Sequence, residues 1–328
     1  MIPMRVSVYK TFELDDNQWQ MIVDGFNESF GLHATINKFK KGWYVSNPWG
    51  YAFHALALDD EGELMAYNVF TPIQYNDDIK AVVSGSTFVR KKFRKHIMLF
   101  AKMIAALRTR CLSEGFSLEV GVPNHNSLDY HLKINKVSYV ADLSYYMLPI
   151  SLSKSSGKHL PKPVDLIWKQ VLKCHVWANQ ILSYCFNTKE NPKRFSVNTN
   201  EDFYRTRFSN TEYQVVDVGS FRFVFRVYEE EGRRVAYLMD FREYGTRTYQ
   251  ALVKAVKYIV DVNKNVDAVL FVGFMHLKQG LMVKLPKKIV PKRLPLTCYV
   301  IDQSINDKFN GILNSDNWSF SLMNFDVR

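Results

Sequence analysis

The stretch FVRKKFRKHIMLF, residues 88–100, decides how this chain is interpreted. Six basic or titratable side chains occupy the seven positions 90–96, and the sequence then turns abruptly apolar. The apolar side chains recur at helical spacing: Ile97, Phe100, Ile104, Leu107 and Cys111. This spacing predicts an amphipathic helix over residues 94–113. The basic turn precedes it, where backbone N–H groups and the helix dipole favour a phosphate. The alternative is a solvated helix start that binds no ligand.

The length and composition predict two domains. A chain of 328 residues exceeds the size at which one core keeps growing, and 47% apolar residues are enough for two cores. The stretch SLSKSSGKHLPKP, residues 151–163, has the Ser, Gly, Lys and Pro content of a linker. We therefore expect one domain over residues 1–150 and a second over residues 164–328.

The two halves show the same order of elements. Before the linker, the patterns predict a helix, three strands, a helix, a strand, a helix and one long strand over residues 138–150. After it they predict two helices, three strands, a helix over residues 248–262, a strand, a short helix near residues 276–285 and a last strand over residues 294–302. Phe88 precedes Leu118 by thirty residues, and Phe241 precedes Leu270 by twenty-nine. This similarity predicts two copies of one fold.

Charge and composition narrow the classes of function. The net charge of +11 favours an anionic partner without identifying it. No run of eighteen apolar residues exists, and the N-terminus has no hydrophobic signal core, so we expect a cytoplasmic protein with no membrane span. The cysteines lie far apart and the histidines show no HxH or HExxH spacing, so neither a disulfide framework nor a metal site is predicted.

Several motifs resemble those of a known family. The order of three antiparallel strands, a helix, a strand and a helix is similar to that of the GNAT acyltransferases in their tandem form. Residues 43–68 (WYVSNPWGYAFHALALDDEGELMAYN), 86–97 (STFVRKKFRKHI), 121–135 (GVPNHNSLDYHLKIN) and 317–328 (NWSFSLMNFDVR) resemble successive motifs of tandem GNAT-type transferases from bacterial surface-polysaccharide (lipopolysaccharide O-antigen) pathways. The resemblance covers essentially the whole chain. It implies an α/β (α+β mixed sheet) protein of two tandem GNAT-like domains, each a mixed central sheet flanked by helices.

The resemblance also implies an acyl-CoA donor, acetyl-CoA or a short-chain hydroxyacyl-CoA. In the family, glycines occupy two positions of the turn, which Ile97 and Leu99 hold here. Basic side chains can compensate with charge. Because Glu243 adjoins the matching turn of the second copy and repels phosphate, we expect acyl-CoA in the first domain. The predicted cofactor-binding residues are Thr87, Phe88, Val89, Arg90, Arg94, Lys95, His96, Ile97, Asn124 and Ser127. Asn126 and Ser127 are equally suited to be helix caps.

The catalytic groups are less well defined. The resemblance places a general acid at His131 or at its neighbour Tyr130, only one of which can face a cleft. Both residues could instead be structural. Asp240 is a candidate general base, with Glu63 and Asp129 as alternatives, and an amine can also lose its proton to water.

The resemblance implies that the acceptor is the amine of a nucleotide-linked amino sugar, such as a dTDP-3-amino-3,6-dideoxyhexose. Trp43, Trp49, Arg242 and Tyr244 are candidate substrate-binding residues. Nucleic acid is not the expected partner, and a homodimer is left open. One alternative is a Fem-like transferase that takes its acyl group from aminoacyl-tRNA, which the basic charge and the missing glycines favour. The other is a catalytically inactive GNAT-fold binding protein.

Overall fold

The computed structural model describes residues 4–39, 47–96, 98–156, 161–191, 195–209, 212–230, 232–263 and 265–325. The chain divides into two compact units. Unit 1 is built from Met1–Ala141, Val197–Ser209 and Leu294–Asn314. Unit 2 is built from Asp142–Ser196, Asn210–Arg293 and Ser315–Arg328. The units are therefore not the contiguous stretches 1–150 and 164–328 that the composition suggested, because late segments of the chain complete unit 1.

The first part of the chain alternates strands and helices. In chain order it forms β1 (Arg5–Lys10), α1 (Asp16–Phe30), α2 (Ile36–Phe39), β2 (Phe53–Leu58), β3 (Leu64–Tyr75), β4 (Ile79–Val89), α3 (Met98–Ser113), β5 (Leu118–Gly121), α4 (His125–Lys133) and β6 (Ser138–Asp142). The prediction for this part is confirmed for its helices and for the three strands β2 to β4. It missed β1, whose six residues are too few for a strong alternating pattern.

The remainder repeats part of this order, from a helix through three strands and a helix to a strand, but no α-helix follows that strand among the described residues. It forms β7 (Ser144–Pro149), α5 (Leu152–Ser156), α6 (Lys162–Cys185), β8 (Phe195–Ser196), α7 (Glu201–Arg207), β9 (Gln214–Val218), β10 (Phe221–Glu230), β11 (Arg233–Glu243), α8 (Tyr249–Val262), β12 (Ala268–Gly273), β13 (Val283–Lys284), β14 (Pro295–Val300) and β15 (Trp318–Ser319). The expected short helix near residues 276–285 is wrong, because the Gln279 side chain holds a turn there through the backbone of Met282. The linker stretch contains α5 and the start of α6.

Unit 1 contains a seven-stranded sheet in the order β1-β2-β3-β4-β5-β14-β6 within the described residues. The pair β4–β5 is parallel, and β1 to β4 pair antiparallel. Because side chains alternate across a strand, Phe53 and Ala55 of β2 pack with α3, whereas Leu56 packs with α1.

Unit 2 contains a six-stranded sheet in the order β13-β7-β12-β11-β10-β9 within the same described ranges. Here β11 and β12 are parallel, and α8 packs Leu252 and Val256 against Phe225 and Phe271 of the sheet. Both units thus have the mixed sheet flanked by helices that the sequence predicted.

Each sheet includes a strand from the other half of the chain. β14 follows β13 of unit 2 in sequence but lies between β5 and β6, and β7 directly follows β6 but pairs with β12. The single strand predicted over residues 138–150 is therefore wrong, since it breaks at Leu143 and its two parts join different sheets. None of the described helices is long and apolar enough to cross a membrane.

Candidate functional site

The parallel strands β4 and β5 of unit 1 separate at one end. Their ladder joins Ala81–Ser84 to Leu118–Gly121, and β4 then continues to Val89 along β3 alone. Beyond this ladder, the residues Gly85 to Thr87 of β4 remain partly exposed. The sheet therefore opens between β4 and β5, at the carboxyl ends of both strands.

A β-bulge lies at the opening. One extra residue on β4 makes Ser86 and Thr87 face the single residue Asn68 of β3, and Ser86 has a φ of 47°. Asn68 is fully buried, and its Nδ2 donates to Thr87 Oγ1 at 2.8 Å. Its Oδ1 has no hydrogen-bond partner among the described residues. The sequence reasoning missed Asn68, although a single amide within the apolar run of β3 is the signal of such a site.

Part of the basic turn is neutralised by carboxylates. Arg90 Nε donates to Glu28 Oε2 at 2.6 Å, and its other nitrogen donates to Glu63 Oε1 at 2.7 Å. Lys92 also pairs with Glu63. These partners bind Arg90 and Lys92 beside α1 and the β2–β3 turn, and they engage Glu63, one of the candidate bases.

Three other basic side chains of the turn form no ion pair among the described residues. Lys91, Arg94 and Lys95 are exposed and have no carboxylate partner in the described ranges, and Arg94 Nε donates to Val89 O at 3.3 Å. Leu99 is fully buried in the core, and its N–H donates to His96 O at 3.0 Å. Ile97 lies outside the described residues. The start of α3 thus carries uncompensated cations while one of the bulky side chains points into the core.

Tyr130, on α4, contacts the start of α3. Its hydroxyl accepts a hydrogen bond from the Ala101 N–H at 3.2 Å, and its ring packs 5.3 Å from that of Phe100. Burial raises the pKa of Tyr130, so the phenol is protonated at neutral pH. The tyrosine can therefore donate a proton.

His131, in contrast, belongs to the core. It is 8% exposed, and its ring meets Phe100 edge-on at 5.2 Å. Burial, with a smaller effect of Arg108, lowers the pKa of His131 to about 4. The imidazole is therefore neutral near pH 7. Of the two neighbours that the sequence left open, Tyr130 is partly exposed and His131 is buried.

Asn124 caps the helix that follows β5. Its Oδ1 accepts from the Ser127 N–H at 3.0 Å and from the Ser127 hydroxyl at 3.1 Å. This bond satisfies one of the unpaired N–H groups at the start of α4. Asn124 thereby fixes the direction of α4, which carries Tyr130.

The matching opening in unit 2 is filled by the chain itself. The parallel ladder of β11 and β12 ends at Leu238 and Phe271, and the segment around β15 lies beyond it. Gly273 bridges Ser321, the Phe274 N–H donates to Phe320 O at 2.8 Å, and Ser321 Oγ donates to Met239 O at 3.1 Å. The residues of β11 from Leu238 to Arg242 are buried. This opening therefore does not fit a cofactor.

Asp240 lies in a buried ion-pair cluster of unit 2. It is 1% exposed, and its carboxylate accepts from Arg242 Nε at 2.7 Å and from Arg247 Nε at 3.1 Å. Arg247 also donates to Ser321 Oγ at 2.9 Å. Two guanidinium groups hold this carboxylate in place, so the arrangement makes it a structural anchor.

The candidate acceptor residues lie in different environments. Trp43 lies outside the described residues. Trp49, in unit 1, packs on Phe116 with ring centres 5.9 Å apart. In unit 2, Arg242 bonds Gly245 O at 2.8 Å, and Tyr244 is 84% exposed in the turn after β11 with a φ of 47°. Among these, Tyr244 presents a large exposed aromatic surface.

Comparisons with known proteins agree with this fold. A conserved protein of unknown function from Enterococcus faecalis V583, described as a probable N-acyltransferase, has a TM-score of 0.57 and 12% identity over 93% of this chain and 74% of that chain. A GCN5-related N-acetyltransferase from Anabaena variabilis ATCC 29413 has a TM-score of 0.54 and 9% identity over 91% and 73%. Another from Kribbella flavida has a TM-score of 0.52 and 9% identity over 90% and 71%.

These likenesses show the fold. The chain has the mixed-sheet fold of the GCN5-related N-acetyltransferases, which cover most of its length in a single alignment. No protein-family model matches the sequence, and no curated protein matches it. The predicted fold class of two tandem GNAT-like domains is confirmed.

Proposed function

We propose that this protein is an acyl-CoA-dependent N-acyltransferase whose donor site lies in unit 1. The observation that carries the proposal is the contrast between the two units. The opening between β4 and β5 is bordered by partly exposed residues of β4, and the start of α3 carries cations with no carboxylate partner among the described residues, whereas the opening between β11 and β12 is filled by Phe320 and Ser321. Bound acyl-CoA would supply a thioester whose acyl group is transferred to an amine.

Arg94 and Lys95 would hold the phosphates of the donor. A hydrogen bond to a charged group contributes about 1.5–3 kcal/mol net, whereas a helix dipole contributes about 0.3–1 kcal/mol. Two side-chain contacts therefore outweigh a less open backbone turn. Backbone groups from Ser86 to Val89 would border the rest of the donor, including the developing oxyanion.

Tyr130 would act as the general acid. Its phenol holds a proton at neutral pH and would deliver it to the leaving sulfur as the acyl–sulfur bond breaks. Asp240 is bound by Arg242 and Arg247 and is left out of this mechanism. As the amine nitrogen forms its bond to the acyl carbon, it would lose its proton to solvent, and the Tyr130 phenolate would regain a proton from solvent.

The acceptor that we propose is the amine of a nucleotide-linked amino sugar, and the acyl group is acetyl or a short hydroxyacyl. The motif resemblance and the net charge of +11, which attracts a nucleotide diphosphate, support this choice.

Thiol release tests the proposal. The purified protein is incubated with acyl-CoAs and a panel of amines that includes dTDP-linked amino sugars, and free thiol is followed. We expect release with at least one pair, and a loss of about tenfold or more in CoA affinity for the double variant Arg94→Gln, Lys95→Gln. Lys92→Gln is the matched control, because Lys92 pairs with Glu63 and should leave CoA affinity unchanged.

The outcome separates the alternatives. Absence of thiol release with every pair, together with absence of CoA binding, would contradict the proposal. Steeply salt-dependent binding of tRNA without CoA affinity would select the Fem-like alternative.

A further inference from the structure

Helix α6 exposes a long apolar stripe. Its inner side packs Leu172 and Val176 into the core of unit 2 next to α8. On its outer side, six large apolar side chains are between 44% and 65% exposed: Leu166, Ile167, Val171, Trp177, Ile181 and Leu182. No described residue covers this stripe.

The stripe has the spacing of a helix–helix seam. Ile167, Val171, Cys174, Ala178 and Ile181 follow one another at alternating steps of four and three residues, all on the outer side. Steps of four and three place residues along one line of a helix that faces a partner helix. The small residues Cys174 and Ala178 near the middle allow two helices to approach closely.

The exposed apolar area of the stripe is large for the surface of a monomer. Large apolar side chains offer roughly 150–250 Å² each when aromatic and somewhat less when aliphatic, so the six exposed fractions amount to several hundred Å². The largest apolar patch on a typical monomer is about 300–600 Å², and a stable interface takes about 800 Å² from each partner. The stripe of α6 alone therefore equals the largest apolar patch of a typical monomer, and its flanking residues would supply the rest of the roughly 800 Å².

The stripe is also arranged symmetrically along the helix. Leu166 and Leu182 lie eight positions either side of Cys174, and Ile167 and Ile181 lie seven positions either side of it. Val171 and Trp177 lie three positions either side of it. In an antiparallel pair related by a two-fold axis, a residue a given number of positions before the axis faces the residue the same number after it. Apolar side chains would therefore meet apolar side chains at these three levels.

We propose that α6 is the interface with a second copy of this chain, packed antiparallel with the two-fold axis near Cys174. Lys169 and Lys173 lie beside the stripe, where their long stems can cover apolar surface while the ammonium groups reach water. This inference is independent of the donor site in unit 1.

Cross-linking through cysteine tests this geometry. Cys174 and Cys185 are exposed on α6, whereas Cys111 and Cys298 are buried. An axis at Cys174 brings the two Cys174 residues opposite each other on helices about 8–10 Å apart. The two Cys185 residues would be separated by about 33 Å along the helices, at 1.5 Å per residue. A short bis-maleimide should therefore join the first pair only.

The experiment uses two matched variants of the full chain. Cys185→Ser, which keeps Cys174, should give a covalent dimer on a denaturing gel, and Cys174→Ser, which keeps Cys185, should give none. Both should have twice the chain mass of 38.3 kDa by light scattering. Labelling with a single-headed maleimide checks that both thiols react.

A charge on the seam gives an independent measurement. Ile181→Asp should reduce the mass to that of one chain at micromolar concentration, while Leu313→Asp, at a 54% exposed position of unit 1, should leave the dimer intact. A wild-type protein of single-chain mass would overturn the proposal, as would equal cross-linking of the two cysteine variants. Sedimentation of wild type but not Ile181→Asp with lipid vesicles, without dimers, would overturn it in favour of a membrane surface.

Discussion

Neighbouring residues of α4 have different environments. Tyr130 reaches the Ala101 N–H at the start of α3, whereas His131 packs edge-on against Phe100 and is 8% exposed. Successive helical residues point about 100° apart, because a turn contains 3.6 residues. One side chain of such a pair can therefore be buried while the other borders an open site.

Replacing Tyr130 tests its role as a general acid. We expect Tyr130→Phe to lower kcat about a hundredfold or more, with little change in the KM for acyl-CoA, because the ring still packs on Phe100. Since burial raises the pKa of Tyr130, wild-type activity should persist with rising pH until that raised pKa is passed. A pH profile of kcat measures this, and an unchanged kcat in the variant would remove Tyr130 from the mechanism.

The buried His131 should make the free energy of unfolding depend on pH. Its pKa is about 4 in the folded protein and 6.5 ordinarily, so between these values the unfolded state binds more protons and stability falls as pH falls. From pH 7 to 4 this one group removes roughly 3 kcal/mol. Urea unfolding of wild type and His131→Leu should show the extra loss in wild type alone. Equal pH dependence of the stability of the two proteins would contradict this role of His131.

The sequence predicted where the basic turn lies but not which of its side chains form ion pairs. The spacing of apolar residues placed the turn before α3, as the structure has it. Glu28 and Glu63, however, lie 62 and 27 residues from Arg90 in sequence, and they engage it through the fold. A local pattern contains no information on such contacts, so the sequence could not distinguish the paired Arg90 from the exposed Arg94.

At the scale of elements, both units contain the same strand–helix–strand arrangement, but in unit 2 the end of the parallel strand pair is filled by other residues of the chain. β4, α3 and β5 match β11, α8 and β12, and each parallel pair is joined over four residues. The segment around β15 closes the second opening through contacts with Met239 and Gly273. Periodicity predicted both copies of the arrangement. It did not predict the closure, because β15 has only two residues.

Gly273 tests this closure. It has a φ of 154°, and an added Cβ would lie 2.4 Å from Phe320 O, which is backbone and cannot move aside locally. Gly273→Ala should therefore lower the free energy of unfolding by roughly 2 kcal/mol or more. Chemical denaturation measures it.

Gly85→Ala is the control for stability, because its added Cβ meets no atom within 4 Å and its φ is ordinary. We expect a change below about 0.5 kcal/mol in the control. Equal stability of the two variants would contradict the packing of Phe320 and Ser321 against Gly273.

At the scale of the whole molecule, β7 and β14 each pair with a strand from the other half of the chain, which we call the strand exchange. β14 pairs with β5 from Thr297 to Val300, and Leu296 and Cys298 of β14 are buried. The sequence predicted both β7 and β14 as extended segments. It could not predict their neighbours, because alternation identifies a strand and its buried side chains but not the strand beside it.

The exchange predicts that the first half of the chain cannot fold alone. A fragment of residues 1–150 lacks β14, so β5 and β6 lose the strand between them and the apolar contacts of Leu296. We expect no cooperative unfolding transition for this fragment, and recovery of one when it is co-expressed with residues 151–328. A cooperative transition of the isolated fragment would contradict the exchange.

The most direct test of the account is a crystal structure of the protein with bound CoA. The account predicts CoA in unit 1, with its phosphates near Arg94 and Lys95 at the start of α3 and its thiol arm between β4 and β5. CoA found between β11 and β12, or no binding at saturating concentration, would contradict it.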